Sequence, residues 1–180
     1  ILKSRFLTKG KTTLEFENKI KGFCKSKYAV STINASTALL IACGALGLKK
    51  NDIVWTTNVT YIASINCAIH YGAKIDLCEI DLNSYNISID LLKSQLETAK
   101  RKNKLPKIIV IVHLSGNPAE LERINYLSKK YKFKIIEDAS HAIGGRYLNE
   151  PVGNCNYSDI TVFSFHPVKI ITTGEGGMAL

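Results

Sequence analysis

The chain has 180 residues, of which 46% are hydrophobic and 22% charged, with a formal net charge of +9. That length can bury one full core. No apolar run approaches the roughly 20 residues of a membrane-spanning helix and the opening residues lack a signal-peptide pattern, which argues against a spanning or secreted protein and for a cytoplasmic one.

The chain opens on Ile1 and stops at Leu180 directly after a strand-like run, so a fragment of a longer chain is expected. Basic residues cluster at Lys100-Arg101-Lys102 with Lys104 and Lys107, and at Lys129-Lys130 with Lys132 and Lys134. Each cluster closes an expected helix, where cations favour the helix dipole. A solvated basic face accounts for them. No aromatic-interleaved basic segment or zinc spacing points to a nucleic-acid partner. The five cysteines are odd in number and none has C-x-x-C spacing. Reduced thiols, mostly buried, are the expectation. Three matches to the glycosylation sequon, at Asn34, Asn58 and Asn86, read as chance without a secretion signal.

Helix and strand patterns alternate in chain order. Thr12 to Phe23 is helical in pattern and Tyr28 to Val30 reads as a short strand. A buried helix follows from Ser36 to Leu46, with Gly47 placed to cap it. Ile53 to Trp55 is strand-like, Tyr61 to Tyr71 helical, and Lys74 to Ile80 a strand. Asp90 to Lys100 is an amphipathic helix. Ile108 to Val112 is an unbroken β-branched run, as a strand covered on both faces requires. Leu121 to Tyr131 returns to helix, Lys134 to Glu137 to strand, and Ile160 to Phe165 is the last clear strand. This alternation predicts an α/β fold, a mostly parallel sheet between two helix layers. Ligands of such sheets bind outside the carboxyl ends of the strands.

Several segments placed at such ends carry chemistry. Asn34-Ala35-Ser36-Thr37-Ala38-Leu39 opens a helix with small and hydroxyl residues, which suits a phosphate as well as simple capping by Ser36. Tyr61 either stacks on an aromatic ligand or packs in the core. His113 follows a strand and points either at the crevice or into a structural contact. Glu137-Asp138-Ala139-Ser140-His141 sets a carboxylate at a strand end, with His141 one turn away. That carboxylate could keep a pyridine nitrogen protonated, or merely cap a short helix. Ser164 could donate to a phosphate. Phe163-Ser164-Phe165-His166-Pro167-Val168-Lys169, closed by Thr172-Thr173-Gly174-Glu175-Gly176-Gly177, presents one lysine beside a glycine-rich turn, where its amine could form a Schiff base with an aldehyde.

Together these segments resemble the DegT/DnrJ/EryC1/StrS sugar-nucleotide aminotransferases, within fold-type I of the pyridoxal-phosphate enzymes, nearly end to end. The family's Ser-Gly-Thr-Ala-Ala-Leu segment is similar to Asn34 to Leu39, its Glu-Asp-Ala-Ala-Gln segment to Glu137 to His141, and its lysine and Gly-Glu-Gly-Gly segments to Ser164 to Lys169 and Gly174 to Gly177. The resemblance implies a three-layer αβα domain like the large domain of aspartate aminotransferase, incomplete here. Residues 1–180 would be part of that large cofactor-binding domain, with a small C-terminal domain absent from the chain. The implied cofactor is pyridoxal 5'-phosphate. The resemblance further implies that Lys169 is the Schiff-base lysine and Asp138 the partner of the pyridine nitrogen. Ala35, Ser36 and Ser164 would hold the phosphate, Tyr61 would stack on the ring, and His141 would lie near the ring hydroxyl.

Within the family, Lys3 to Gly10, Asp138 to Gly145 and the Thr172-Thr173 pair resemble the branch that aminates a 4-keto-6-deoxy UDP-N-acetyl sugar in pseudaminic acid synthesis. Arg5, Phe6, Leu7, Thr8 and His166 would then line the substrate site. L-glutamate would donate the amine, and the full-length protein would be a homodimer. Ser36 stands where threonine is usual, and Asn34-Ala35 where Ser-Gly is common. Other readings are an aminotransferase for another nucleotide keto-sugar, a dehydratase of the family (disfavoured because those replace the lysine with histidine), and a non-catalytic or nucleic-acid-binding protein on the same fold.

Overall fold

The computed structural model describes residues 10–180; Arg5, Phe6, Leu7 and Thr8 fall outside the described residues. The sheet is organised by alternation along its central strand, β4 (Ile108–Val112). Successive side chains of a strand point to opposite faces. Ile108 and Val110 therefore pack with α2 (Ala35–Ala45) and α3 (Ala63–Ile69). Ile109 and Ile111 pack with α4 (Ile89–Arg101) and α5 (Leu121–Tyr131). That is the three-layer architecture the β-branched run predicts. A third cluster seats α1 (Lys11–Cys24) on Phe163 and Phe165, with Phe16 edge-on to Phe165 at a centroid distance of 5.0 Å.

The remaining strands of the main sheet are β1 (Val30–Thr32), β2 (Ile53–Thr57), β3 (Lys74–Cys78), β5 (Lys134–Asp138), β8 (Ile160–Ser164) and β9 (Gly177–Ala179). A two-stranded ribbon of β6 (Arg146–Tyr147) and β7 (Glu150–Pro151) stands apart. The seven-stranded order is β1-β9-β8-β5-β4-β2-β3. Every neighbouring pair from β8 to β3 is parallel, while β9 runs antiparallel to both β8 and β1. The carboxyl ends of β1, β2, β4, β5 and β8 consequently open on one edge. That edge receives the start of α2, the end of β5 and the lysine loop after β8.

Some boundaries differ from the sequence reading. The first strand is Val30–Thr32, because those residues face Ala179 to Gly177 in register, whereas Tyr28 is exposed. The helix expected from Tyr61 to Tyr71 is shorter, Ala63–Ile69, and the chain turns at Gly72 with φ +69. Strand β9 is the strand-like run before Leu180, only three residues long and with no assigned partner in the sequence. It exists because β1 and β8 leave a gap that its backbone fills. Gly47 does close α2, at φ +71, with its N–H on Gly44 O and the Leu48 N–H on Cys43 O.

Cys24, Cys43, Cys67 and Cys78 are buried, Cys155 is half-buried, and all five are free thiols. Burial pushes Cys24 and Cys78 up to about 12, with nearby Cys155 adding to the first and Asp76 and Glu79 to the second, so both stay un-ionised at neutral pH. No helix among the described residues is long and apolar enough to cross a membrane.

Candidate active site

The carboxyl edge holds a cavity of about 460 Å³. Its walls come from the start of α2, the turn before α3, the ends of β4 and β5, and the loop after β8.

The first wall is a helix N-terminus. Asn34, rather than Ser36, caps α2: its Oδ1 accepts the Thr37 N–H at 2.8 Å. The N–H groups of Ala35 and Ser36 have no hydrogen-bond acceptor among the described residues, and both residues line the cavity. Free amides at the positive end of a helix form an anion site. Gly177 on β9 passes directly behind this turn. A Cβ there would overlap the carbonyl of Asn34 and the amide of Ala35. Because β9 is held between β1 and β8, it cannot step back. Gly177→Ala is therefore expected to destabilise the fold by about 1–3 kcal/mol, read as a shifted urea midpoint. An unshifted midpoint would contradict this packing.

Asp138, the last residue of β5, is 5% exposed and lines the cavity. Its Oδ1 accepts the Ser140 hydroxyl at 2.6 Å and the Ser140 N–H at 3.2 Å. Its Oδ2 accepts the Ser64 hydroxyl at 2.6 Å. His141 lies alongside, partly buried. Burial and the positive charge of Lys169 lower its pKa below 6.5 against the opposing pull of Asp138, so its ring is uncharged at neutral pH.

Lys169 sits in the turn after β8, its N–H on the His166 carbonyl. Its side chain lines the cavity and has no ion pair among the described residues. Ser164, the last residue of β8, accepts the His166 N–H at 3.4 Å and keeps its hydroxyl hydrogen to donate. His166 Nε2 stands 3.7 Å from Glu175 Oε1 at the exposed rim. Tyr61 is 72% exposed, which dismisses core packing and leaves its ring free beside the cavity.

His113 also borders the cavity, but its nitrogens are spent. Nδ1 accepts the Ala119 N–H at 3.1 Å, which puts the hydrogen on Nε2, and Nε2 donates to Glu137 Oε2 at 2.7 Å. Glu137 Oε1 accepts from the Thr161 hydroxyl at 3.0 Å and from the Ser158 hydroxyl. This closed network ties β4, β5 and β8 together beneath the site.

The sequence profile of the DegT/DnrJ/EryC1/StrS aminotransferase family matches residues 1–180. The chain belongs to this family. It is 40% identical over 176 residues to the UDP-4-amino-4,6-dideoxy-N-acetyl-beta-L-altrosamine transaminase of Campylobacter jejuni, which covers 98% of this chain and 45% of that protein. Its fold superposes on the Helicobacter pylori aminotransferase involved in the biosynthesis of pseudoaminic acid with a TM-score of 0.89 at 32% identity, covering 99% of this chain and 46% of that one. A Streptococcus pneumoniae protein assigned as a sugar aminotransferase, solved in its PLP-form, gives 0.87 at 28% identity over 99% of this chain and 47% of that one. The chain thus spans less than half the length of these family members.

For this family member, the fold brings Ala35, Ser36, Tyr61, Asp138, His141, Ser164, His166 and Lys169 to one cavity. Arg5, Phe6, Leu7 and Thr8 remain outside the described residues. Sequence reasoning passed over Ser64 and Ser140, which donate to Asp138, and Thr60, which contacts Ser64. It also passed over Glu175, which lines the cavity. No local pattern marks Ser64, since its partner is 74 residues away.

Proposed function

We propose that the protein is a pyridoxal-phosphate-dependent aminotransferase that moves an amino group from L-glutamate to a nucleotide-linked keto sugar. The observation that carries this reading is the convergence of Asp138, at the end of β5, and Lys169, in the loop after β8, on a cavity that also holds the free amides of Ala35 and Ser36. The described residues fit the cofactor. The α2 amides and the Ser164 hydroxyl suit its phosphate, an uncharged His141 suits its ring hydroxyl, and exposed Tyr61 suits its ring face. Asp138 suits a protonated ring nitrogen, and Lys169, free of ion pairs among the described residues, would hold the cofactor's aldehyde.

When bound, this cofactor supplies an electron-poor ring that stabilises negative charge on the carbon bearing the amine. Lys169 Nζ would take and return the proton at that carbon. Asp138 keeps the ring nitrogen's proton in place. His141 stays uncharged and so places no competing positive charge beside Lys169. L-glutamate leaves as 2-oxoglutarate, and the keto sugar leaves aminated.

The favoured sugar is a 4-keto-6-deoxy UDP-N-acetyl sugar of the pseudaminic acid route. The likeness to the Campylobacter and Helicobacter proteins supports it. Arg5, Phe6, Leu7, Thr8 and His166 would line its site. Residues 1–180 would form the cofactor-binding part of the large domain. A homodimer is supported by the apolar side chains exposed around the lysine loop, including Val168 at 77%, Ile170 and Ile171. Mixing the full chain with pyridoxal phosphate, reducing with borohydride and mapping the product by mass spectrometry is expected to place a pyridoxyl group on Lys169 alone. Scattered labelling of other lysines, or none, would reject the reading.

A further inference from the structure

We infer that Ser64, backed by Thr60, is a positioning residue that holds Asp138 so that one remaining acceptor faces the ring nitrogen of the cofactor; this rests on the cofactor reading above. A carboxylate offers about four acceptor positions. Ser140 fills Oδ1 with its hydroxyl and its N–H. Ser64 fills one position on Oδ2. One position on Oδ2 is left, and Asp138 lines the cavity.

The direction of the hydroxyl chain follows by counting hydrogens. Ser64 has a single hydroxyl hydrogen and gives it to Asp138. Its 2.9 Å contact with Thr60 Oγ1 must therefore be donated by Thr60. Ser64 is fully buried, whereas Thr60 lies on the cavity wall. Among the described residues no lysine or arginine makes an ion pair with Asp138. Its carboxylate is instead met by hydroxyl and amide donors, which fix its orientation toward the cavity. Tyr61 stands on the same turn, between Thr60 and Ser64. One short segment thus sets both the ring-stacking side chain and the orientation of Asp138.

The test measures equilibrium binding to the full chain of pyridoxal phosphate and of 1-deazapyridoxal phosphate, in which a C–H replaces the ring nitrogen. Ser64→Ala is expected to weaken pyridoxal phosphate about tenfold, the size of one charge-assisted hydrogen bond. It should bind the deaza analogue as the wild type does. Ser64→Thr, which keeps the hydroxyl, should restore affinity to within about twofold. Thr60→Val should weaken pyridoxal phosphate in the same ligand-selective way, but less. Equal losses on both ligands would show a general packing role and overturn the inference, as would unchanged affinity in Ser64→Ala; either leaves the cofactor reading standing. A wild type that binds neither ligand would overturn the cofactor reading and this inference with it.

Discussion

Lys169→Ala is expected to abolish transamination by the full-length protein, with a rate loss of at least about a thousandfold. Positioned acid–base groups contribute roughly 10²–10⁴ each, and this lysine is also the expected covalent holder of the cofactor. Binding should respond differently from rate. Asp138, its serine donors and the α2 amides are untouched by the substitution, so pyridoxal phosphate should still bind, more weakly and without covalent capture. Single-turnover rates and an equilibrium titration separate the two quantities. A Lys169→Ala protein that transaminates at the normal rate would reject the proposed function. Loss of both binding and fold would be visible as a changed melting curve and would be distinguished by Lys169→Arg, which keeps the positive charge but cannot form the bond.

The largest stability effect is expected at Glu137. Its side chain is buried with that of His113 and accepts from His113, Ser158 and Thr161. Glu137→Ala removes the acceptor of two buried donors, His113 and Thr161, and of the half-buried Ser158 hydroxyl. Each buried donor left without an acceptor costs about 1–3 kcal/mol, together a large share of the 5–15 kcal/mol that a domain typically has. Glu137→Gln keeps the shape and one acceptor and should cost less. Denaturant unfolding checks both, and a wild-type midpoint for Glu137→Ala would contradict the network.

The pH dependence has a definite sign. Burial by itself raises the Glu137 carboxyl, but the hydrogen bonds from His113, Ser158 and Thr161 outweigh it and hold the group below its ordinary 4.5. A folded value below the unfolded one gives stability that is fully present above the unfolded value and is lost as pH falls through the folded value. The gap between wild type and Glu137→Ala should therefore be constant near neutrality and narrow below about pH 4. The same network explains why Glu137 matters although it does not line the cavity. Adjacent strand residues face opposite sides, so Glu137 anchors β5 from beneath while Asp138 presents its carboxylate to the site.

The periodic segments were legible because their signal is local. The run Ile108 to Val112 showed a doubly covered strand, and alternating helices and strands showed a parallel sheet with a carboxyl edge. Lys169 and Asp138 were legible for a related reason: Asp138 closes one apolar strand and Lys169 lies in the short loop after another, so their place at that edge could be inferred from chain order. The motifs resembling the family carried the remaining site expectations.

Other features depend on contacts between distant segments and leave no trace in either segment alone. Strand β9 read only as a strand-like run before Leu180; its antiparallel place between β1 and β8 comes from the backbone hydrogen bonds they offer it. Gly177 was legible as part of the Gly-Glu-Gly-Gly motif, but the reason a glycine is required there, the turn that opens α2 passing against it, is visible only in the structure. Asn34 displaced Ser36 as the cap, since only the geometry of the first turn decides which oxygen reaches the Thr37 amide. Ser64 reaches Asp138 across 74 residues. The sequence by itself determined the layers, the edge and the chemical types placed there. Tertiary structure alone decided which hydrogen-bond donor meets which acceptor, because a bond of 2.6 Å depends on the packing of three elements at once.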